Sequence, residues 1–65
     1  MSTLKKARRD KKMTQEALAQ AAGVTKTTIQ NLERGERPRL DTAHAIARVL
    51  GKRIDQLWPL EEASA

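Results

Sequence analysis

The side chains best suited to bind a ligand in this 65-residue sequence lie between positions 26 and 34. Polar side chains recur there at the spacing of one helix face: Lys26, Thr27, Gln30, Asn31 and Arg34. An α-helix fits the major groove of double-stranded DNA, where lysine can donate to guanine O6 and N7, and asparagine or glutamine can pair twice with adenine. The same pattern also describes the solvated face of an ordinary amphipathic helix, and both interpretations are open at this point.

Capping residues and helical periodicity predict the elements that would hold this face. Thr14 and Thr25 are suited to cap helices, because a threonine hydroxyl accepts a hydrogen bond from a first-turn amide. Gly23, Gly35 and Pro38 are expected to interrupt helices. With the apolar spacing, these signals predict an all-α domain of five helices at about 3–12, 15–22, 26–34, 40–50 and 53–58, without strands.

The second and third predicted helices have the composition of two helices that cross at a large fixed angle. Ala19 is small enough for another helix to pass close above it, and Gly23 permits a sharp reversal of the chain. Ile29 and Leu32 are spaced to bury one side of the third helix. This arrangement would leave the polar side of the third helix exposed.

The positive charge is concentrated in the first part of the chain. Residues 1–39 contain ten Lys and Arg against four Asp and Glu, whereas residues 40–65 contain three against four, for a net charge of +5. A basic module of this kind indicates a polyanionic partner, most commonly nucleic acid. The alternative is a soluble, lysine-rich surface without a partner.

Composition excludes several classes of function. There is no cysteine, and His44 is the single histidine, so we expect no metal site and no cofactor. His44 has no serine or carboxylate at catalytic spacing, so we interpret it as a surface residue and do not expect an enzyme. No apolar run is long enough for a membrane span or a signal peptide, and the expected location is the cytoplasm, in association with the nucleoid.

Several stretches together resemble the Cro/repressor-type (Xre-like) helix-turn-helix family. The resemblance spans residues 4–58, and the matching positions are 13–19, 23–25, 32–35 and 40–42, with Ile29, Ile46, Ala47, Leu50 and Gly51. The resemblance implies a compact, lambda-repressor-like fold of five helices, in which the third helix reads operator DNA. It also implies a bacterial or phage transcriptional regulator that binds a palindrome as a dimer.

The resemblance assigns roles to residues by their position. The base-reading positions are Lys26, Thr27, Gln30 and Asn31. The phosphate-contacting positions are Gln15, Thr25, Arg34, Arg37 and Arg39, although Gln30 and Arg34 could each reach bases or phosphates or remain solvated. Arg8 and Glu33 match an arginine and a glutamate that form a structural ion pair between the first and third helices. Trp58 matches a position that closes either the core or the dimer contact, and Leu60 could extend that contact.

The matched loop departs from the family pattern at its end. The loop 36–39 is one residue shorter than the common form, and Arg39 stands where a Ser or Thr cap is usual.

Residues 1–60 are predicted to form the DNA-binding domain, and 61–65 a short flexible tail.

The leading functional hypothesis is a sequence-specific, dimeric DNA-binding regulator, with repression favoured over activation and no small-molecule ligand expected. The second hypothesis is an antitoxin-like or other protein-interaction module in the same fold, with DNA binding secondary. An RNA-binding protein ranks third, because RNA recognition normally uses aromatic stacking platforms and Trp58 is the single aromatic residue.

Overall fold

The computed structural model describes residues 2–59, which form an all-α fold. Its helices are α1 (Thr3–Asp10), α2 (Gln15–Ala22), α3 (Lys26–Glu33), α4 (Leu40–Leu50) and α5 (Ile54–Leu57). Helix α2 packs against α3 and α4, while α1 and α4 both contact the short α5. The five predicted helices are therefore present, and the predicted tail 61–65 and Leu60 lie outside the described residues.

The predicted caps form at the starts of α2 and α3. The Thr14 hydroxyl accepts from the Ala17 amide at 3.0 Å, and the Thr25 hydroxyl accepts from the Thr28 amide at 3.1 Å. Each bond satisfies an amide that has no partner within its own helix. Arg39, which precedes α4 in place of the usual Ser or Thr, makes no side-chain capping hydrogen bond.

Buried side chains from all five helices form one core. Leu4, Leu18, Ile29 and Ile46 are fully buried, one each from α1 to α4. The remaining buried apolar residues are Ala7, Ala19, Leu32, Ala43, Ala47, Leu50, Leu57 and Trp58. The four alanines in this set let the helix backbones approach closely, so a core with few large side chains can still be well packed.

The reversal between α2 and α3 depends on one left-handed residue. Gly23 has a φ of 75°, and the Val24 amide donates to the Ala19 carbonyl at 2.9 Å, which closes the end of α2. An added Cβ at Gly23 would meet no atom within 4 Å, so the constraint is the backbone conformation and not the space around it. Ala19 is 4 % exposed beneath the crossing of the two helices.

Helix α1 ends at Asp10, two residues before the approximate end predicted at position 12. Lys12 has a φ of 57°, in the left-handed region. Its amide donates to the Arg9 carbonyl at 2.8 Å, and the Met13 amide donates to the Arg8 carbonyl at 3.2 Å. These bonds form the helix ending in which glycine usually occupies the left-handed position. The predicted ends of α3 and α5 differ by one residue, since Arg34, Arg53 and Trp58 are flanking cap residues.

We expect Lys12→Gly to raise the free energy of unfolding by about 0.5–1 kcal/mol. The left-handed conformation costs a non-glycine residue roughly 1–2 kcal/mol, and the greater freedom of glycine in the unfolded chain offsets part of the gain. Urea unfolding followed by circular dichroism would measure the difference. Lys11→Gly is the matched control: φ at Lys11 is −86°, so glycine there should be neutral or destabilising. A loss of stability in Lys12→Gly would contradict this account of the helix end.

Candidate nucleic-acid interface

The polar residues predicted for α3 lie on the side of the helix that does not enter the core. Ile29 and Leu32 are buried, whereas Lys26 and Thr27 are exposed and Gln30 and Asn31 are half-buried. Arg34 follows the last residue of α3, keeps a helical backbone conformation with φ of −85° and ψ of −8°, and is exposed. The predicted residues therefore form a continuous polar surface, which we call the α3 face: Lys26, Thr27, Gln30, Asn31 and Arg34.

A buried ion pair fixes α3 against α1. Arg8 Nε donates to Glu33 Oε2 at 2.7 Å, and a second guanidinium nitrogen donates to Glu33 Oε1 at 3.3 Å. The exposed fractions of the two side chains are 9 % and 6 %. Arg8 also donates to the Met13 carbonyl at 2.8 Å, so the same guanidinium holds the connection between α1 and α2.

Gln15 extends this pair to α2. Its side-chain nitrogen donates to Glu33 Oε1 at 3.1 Å, which fixes the first residue of α2 relative to the last residue of α3. The second N–H of the Gln15 amide group is not used in this bond, so Gln15 retains a donor for an external acceptor. One carboxylate thus joins three helices.

The charge on Glu33 is stabilised despite its burial. Burial alone would raise its pKa, but the hydrogen bonds from Arg8 and Gln15, with the positive charges of Arg8 and Lys5, hold the pKa below its ordinary value of 4.5. Because the pKa is lowered in the fold, the ionised carboxylate contributes stability above about pH 4.5. That contribution disappears as the pH falls through the lowered pKa.

A polar notch of about 220 Å³ lies beside the Glu33 carboxylate. Its lining residues come from α1, α2 and the end of α3, and they are Lys5, Gln15, Gln30, Glu33 and Arg34. Arg8 neutralises Glu33, which leaves two positive charges in the notch, on Lys5 and Arg34. The notch therefore offers ammonium, guanidinium and amide donors, the groups that bind phosphate oxygens.

The sequence interpretation did not include Lys5. The structure places it beside Gln15 and Arg34, two of the predicted phosphate contacts. A signal was present in the sequence: Lys5 precedes Arg8 by three residues, so both lie on the same side of α1. Once Arg8 is paired with Glu33 of α3, a lysine one turn earlier must also lie close to α3.

The remaining predicted contacts are distributed around this surface. Lys26 Nζ lies 3.5 Å from Glu16 Oε2, so the first turns of α3 and α2 are linked by an ion pair. Thr25 is exposed at the start of α3, and its hydroxyl lies 3.0 Å from that of Thr28. Arg37 and Arg34 both line a cavity of about 280 Å³. Arg39 is exposed, lies 3.8 Å from Asp41 and does not line the notch.

Trp58 belongs to the core in this structure. It is 8 % exposed, and its indole N–H has no partner among residues 2–59. One edge of Trp58 borders an open groove between α4 and α5, whose apolar lining also includes Pro38, Leu40, Ala43, Ala47 and Ile54. Leu40 is 70 % exposed, and among residues 2–59 it is the one large hydrophobic residue that is exposed to solvent.

Two other classes of site receive no support within residues 2–59. No group of three His, Asp or Glu side chains lies close enough to hold a metal ion. None of the helices there has the length and apolar character needed to cross a membrane. His44 is exposed on α4, as expected for a surface histidine.

Comparison with known proteins identifies the family. The helix-turn-helix family model matches residues 4–57, which covers α1 to α5 almost completely. The chain belongs to this helix-turn-helix family. The members of this family are DNA-binding transcriptional regulators, which generally lack enzymatic activity. The predicted family and fold are therefore confirmed.

Curated members of the helix-turn-helix family include close relatives in archaea. The chain is 45 % identical over 60 residues to an uncharacterized HTH-type transcriptional regulator of Methanothermobacter thermautotrophicus, covering 89 % of this chain and 87 % of the relative. Two uncharacterized HTH-type transcriptional regulators of Archaeoglobus fulgidus are 45 % and 43 % identical, each over 77 % of this chain and over 73 % and 72 % of their own lengths. No solved structure matches the chain significantly. Because these relatives are archaeal, a bacterial or phage origin stays a prediction.

The Arg8–Glu33 pair yields a test of how the interface is held. We expect Glu33→Ala to lower the free energy of unfolding by about 3 kcal/mol or more, because it leaves a buried guanidinium without its partner. DNA binding should weaken with it, since Gln15 loses its hydrogen bond to α3. Thermal melting and duplex titration would measure the two effects.

The double variant Arg8→Met/Glu33→Leu separates the two roles of this pair. Replacing both charges by apolar side chains of similar size should recover most of the stability, because no unpaired buried charge remains. DNA affinity should stay reduced, because Gln15 is still released. A single Glu33→Ala variant that melts at the wild-type temperature would show that the pair does not hold the fold.

Proposed function

We propose that this helix-turn-helix chain is a sequence-specific transcriptional repressor that binds a palindromic operator as a homodimer, with α3 in the major groove. The observation that carries the proposal is the exposed α3 face, held rigidly by the buried Arg8–Glu33–Gln15 network and flanked by a cationic notch. Occupation of a promoter by such a dimer would exclude the transcription machinery. The protein would then act in the cytoplasm, on the nucleoid.

The bases are read by Lys26, Thr27, Gln30 and Asn31 in this proposal. Lysine can donate to guanine O6 and N7, and an amide side chain can pair twice with adenine. Asn31 is half-buried, so part of its rotamer freedom is already lost in the free protein. Gln30 also lines the cationic notch, and therefore lies where the base edges and the phosphate backbone meet.

The DNA backbone is held by donors on both sides of α3. We assign phosphate contacts to Gln15, Thr25, Arg34, Arg37 and Arg39, and the notch adds Lys5 to this set. Gln15 stands at the start of α2, where unpaired amides and the positive end of the helix dipole favour an anion. Such contacts fix the register of the protein on the duplex without reading sequence.

Dimer formation would use the groove between α4 and α5. Leu40 projects from its edge, and the rim carries charges of both signs, including Arg53 and Asp55 at 3.1 Å from each other. A second copy related by a two-fold axis could insert its Leu40 and exchange this charged pair. Arg37 borders the same groove, so the axis would bring the phosphate contacts of both copies together. We propose that Trp58, which borders the groove, contributes to this contact. Leu60, predicted to extend it, lies outside the described residues.

Selection of bound sequences from a random duplex pool would test the operator. We expect an enriched inverted repeat whose half-sites are about one helical turn, or ten base pairs, apart. An enriched site without two-fold symmetry would contradict the dimer, and the absence of any enrichment would contradict sequence-specific binding.

Alanine variants on the selected duplex would then sort the contacts. We expect Lys26→Ala and Asn31→Ala to relax base preference, at a cost of about 1–3 kcal/mol on the preferred sequence. Arg37→Ala should weaken binding to all sequences alike and lower the salt dependence, log Kd against log salt, by about one unit. Lys11→Ala, which removes an equal charge from an exposed residue that lines neither the notch nor the groove between α4 and α5, serves as the control. Uniform weakening by all of the first three variants would overturn the assignment of base-reading residues.

Leu40→Ala tests the dimer separately from the DNA contacts. Binding to the full palindrome should weaken about tenfold, since each copy loses a buried leucine side chain, while binding to an isolated half-site should be unchanged. The fold should be unaffected, because Leu40 is exposed in the single chain. Unchanged binding to the palindrome would contradict the use of this groove as the dimer contact.

A further inference from the structure

We propose that residues 60–62 of this chain dock in the cavity at the end of α3 and bind Arg34 and Arg37, so that DNA must displace them. The cavity, of about 280 Å³, lies between the start of α1, the end of α3 and the end of α5. The docking concerns the single chain, and its effect on DNA rests on the proposed function. Composition alone predicts a flexible tail from residue 61, and the proposal assigns contacts to the first two residues of that tail.

The described part of the chain ends at this cavity. Its last residue, Pro59, lines the cavity and does not line the groove between α4 and α5. Leu60 follows directly, and Glu61 and Glu62 come next. Each extended residue adds about 3.3–3.6 Å to the reach of the chain. A segment attached at the cavity wall therefore brings one apolar side chain and two carboxylates within reach of the lining.

Part of the cavity lining is apolar and belongs to the core. It consists of Leu4, Leu32, Leu57 and Trp58. The cavity has room for a leucine side chain, and Leu60 is the one large apolar residue of the sequence after Trp58. Docking of Leu60 removes apolar surface from water on the side chain and on the lining, which favours the docked state.

The polar part of the lining carries an excess of positive charge. Arg34 and Arg37 both line the cavity, and neither forms an ion pair within residues 2–59. Of the two carboxylates in the lining, Glu33 is already neutralised by its buried pair with α1. Glu36 is the other, so two guanidinium groups stand against one carboxylate.

Glu61 and Glu62 complement this charge. Hydrogen bonds between a carboxylate and a guanidinium group are charge-assisted and frequently bidentate. The same two arginines are assigned to DNA phosphates in the proposed function, and Arg34 also lines the cationic notch. Because a carboxylate and a phosphate compete for the same donors, the docked segment lowers the affinity for every duplex alike.

Nuclear Overhauser effects from the Leu60 methyl groups test the docking without DNA. We expect contacts to the side chains of Leu4 and Leu32 within one chain. Contacts to Leu40 of a second copy, separated by isotope filtering, would instead support the dimer role predicted for Leu60 and would overturn the docking. The absence of any contact from Leu60 beyond Pro59 would overturn it as well.

Two variants test the competition with DNA. Glu61→Gln/Glu62→Gln should bind selected and random duplexes about two- to tenfold more tightly. The salt dependence should steepen by about 0.9 for each arginine that is released. Leu60→Ser keeps both carboxylates but removes the apolar contact, so its affinity and salt dependence should change in the same direction. A long-range effect of net charge alone predicts no change in Leu60→Ser.

An Arg34→Ala/Arg37→Ala background removes the partners of the carboxylates. In that background, Glu61→Gln/Glu62→Gln should leave the affinity and the salt dependence unchanged, which completes a double-mutant cycle. A gain in affinity that persists there, or no gain in the otherwise wild-type chain, would overturn the competition. Failure of the wild-type protein to distinguish selected from random duplex would contradict the proposed function, whereas the contacts of Leu60 would still test the docking.

Discussion

A carboxylate with only 6 % of its side chain exposed requires partners, and in this fold Glu33 obtains them from two other helices. Arg8 supplies the charge from α1 and Gln15 an amide from α2. Because Glu33 is the last residue of α3, these bonds fix the position of α3 along its axis and its rotation about that axis, relative to α1 and α2. The α3 face depends on this arrangement, since a rotation of a few tens of degrees would turn Asn31 away from the surface.

Packing around the ion pair limits α3 in the other directions. Ile29 is fully buried and Leu32 nearly so, which anchors the helix along its length. Gly23 sets the direction in which the chain leaves α2, and Ala19 permits the close crossing. Rigid placement matters for reading DNA, because hydrogen bonds to base edges need donors at defined positions before the duplex arrives. Few large core residues suffice because alanine lets the helices approach so closely.

Much of this fold follows from local sequence signals. Thr14 and Thr25 cap their helices as expected, and Gly23 adopts the left-handed conformation that ends α2. The end of α1 did not follow, because Lys12 occupies a left-handed position without being glycine. Its conformation is imposed by Arg8, whose carbonyl accepts from the Met13 amide while its guanidinium donates to the Met13 carbonyl. Because this constraint comes from the contacts of Arg8, the residue type at position 12 does not predict the left-handed conformation.

The sequence also predicted much of the candidate interface. The residues that it missed carry charges on other helices, which only the fold brings close to α3. Helical spacing was enough to place Lys26 and Asn31 on one side of α3, because that inference concerns a single element. Lys5 and Glu16 belong to other helices, and their proximity to α3 results from the Arg8–Glu33 pair and the α2–α3 crossing. Lys5 adds positive charge at one edge of the face, and Glu16 adds negative charge beside its first residue. The charge at this surface is therefore set by residues of three helices, and the sequence of α3 alone does not show it.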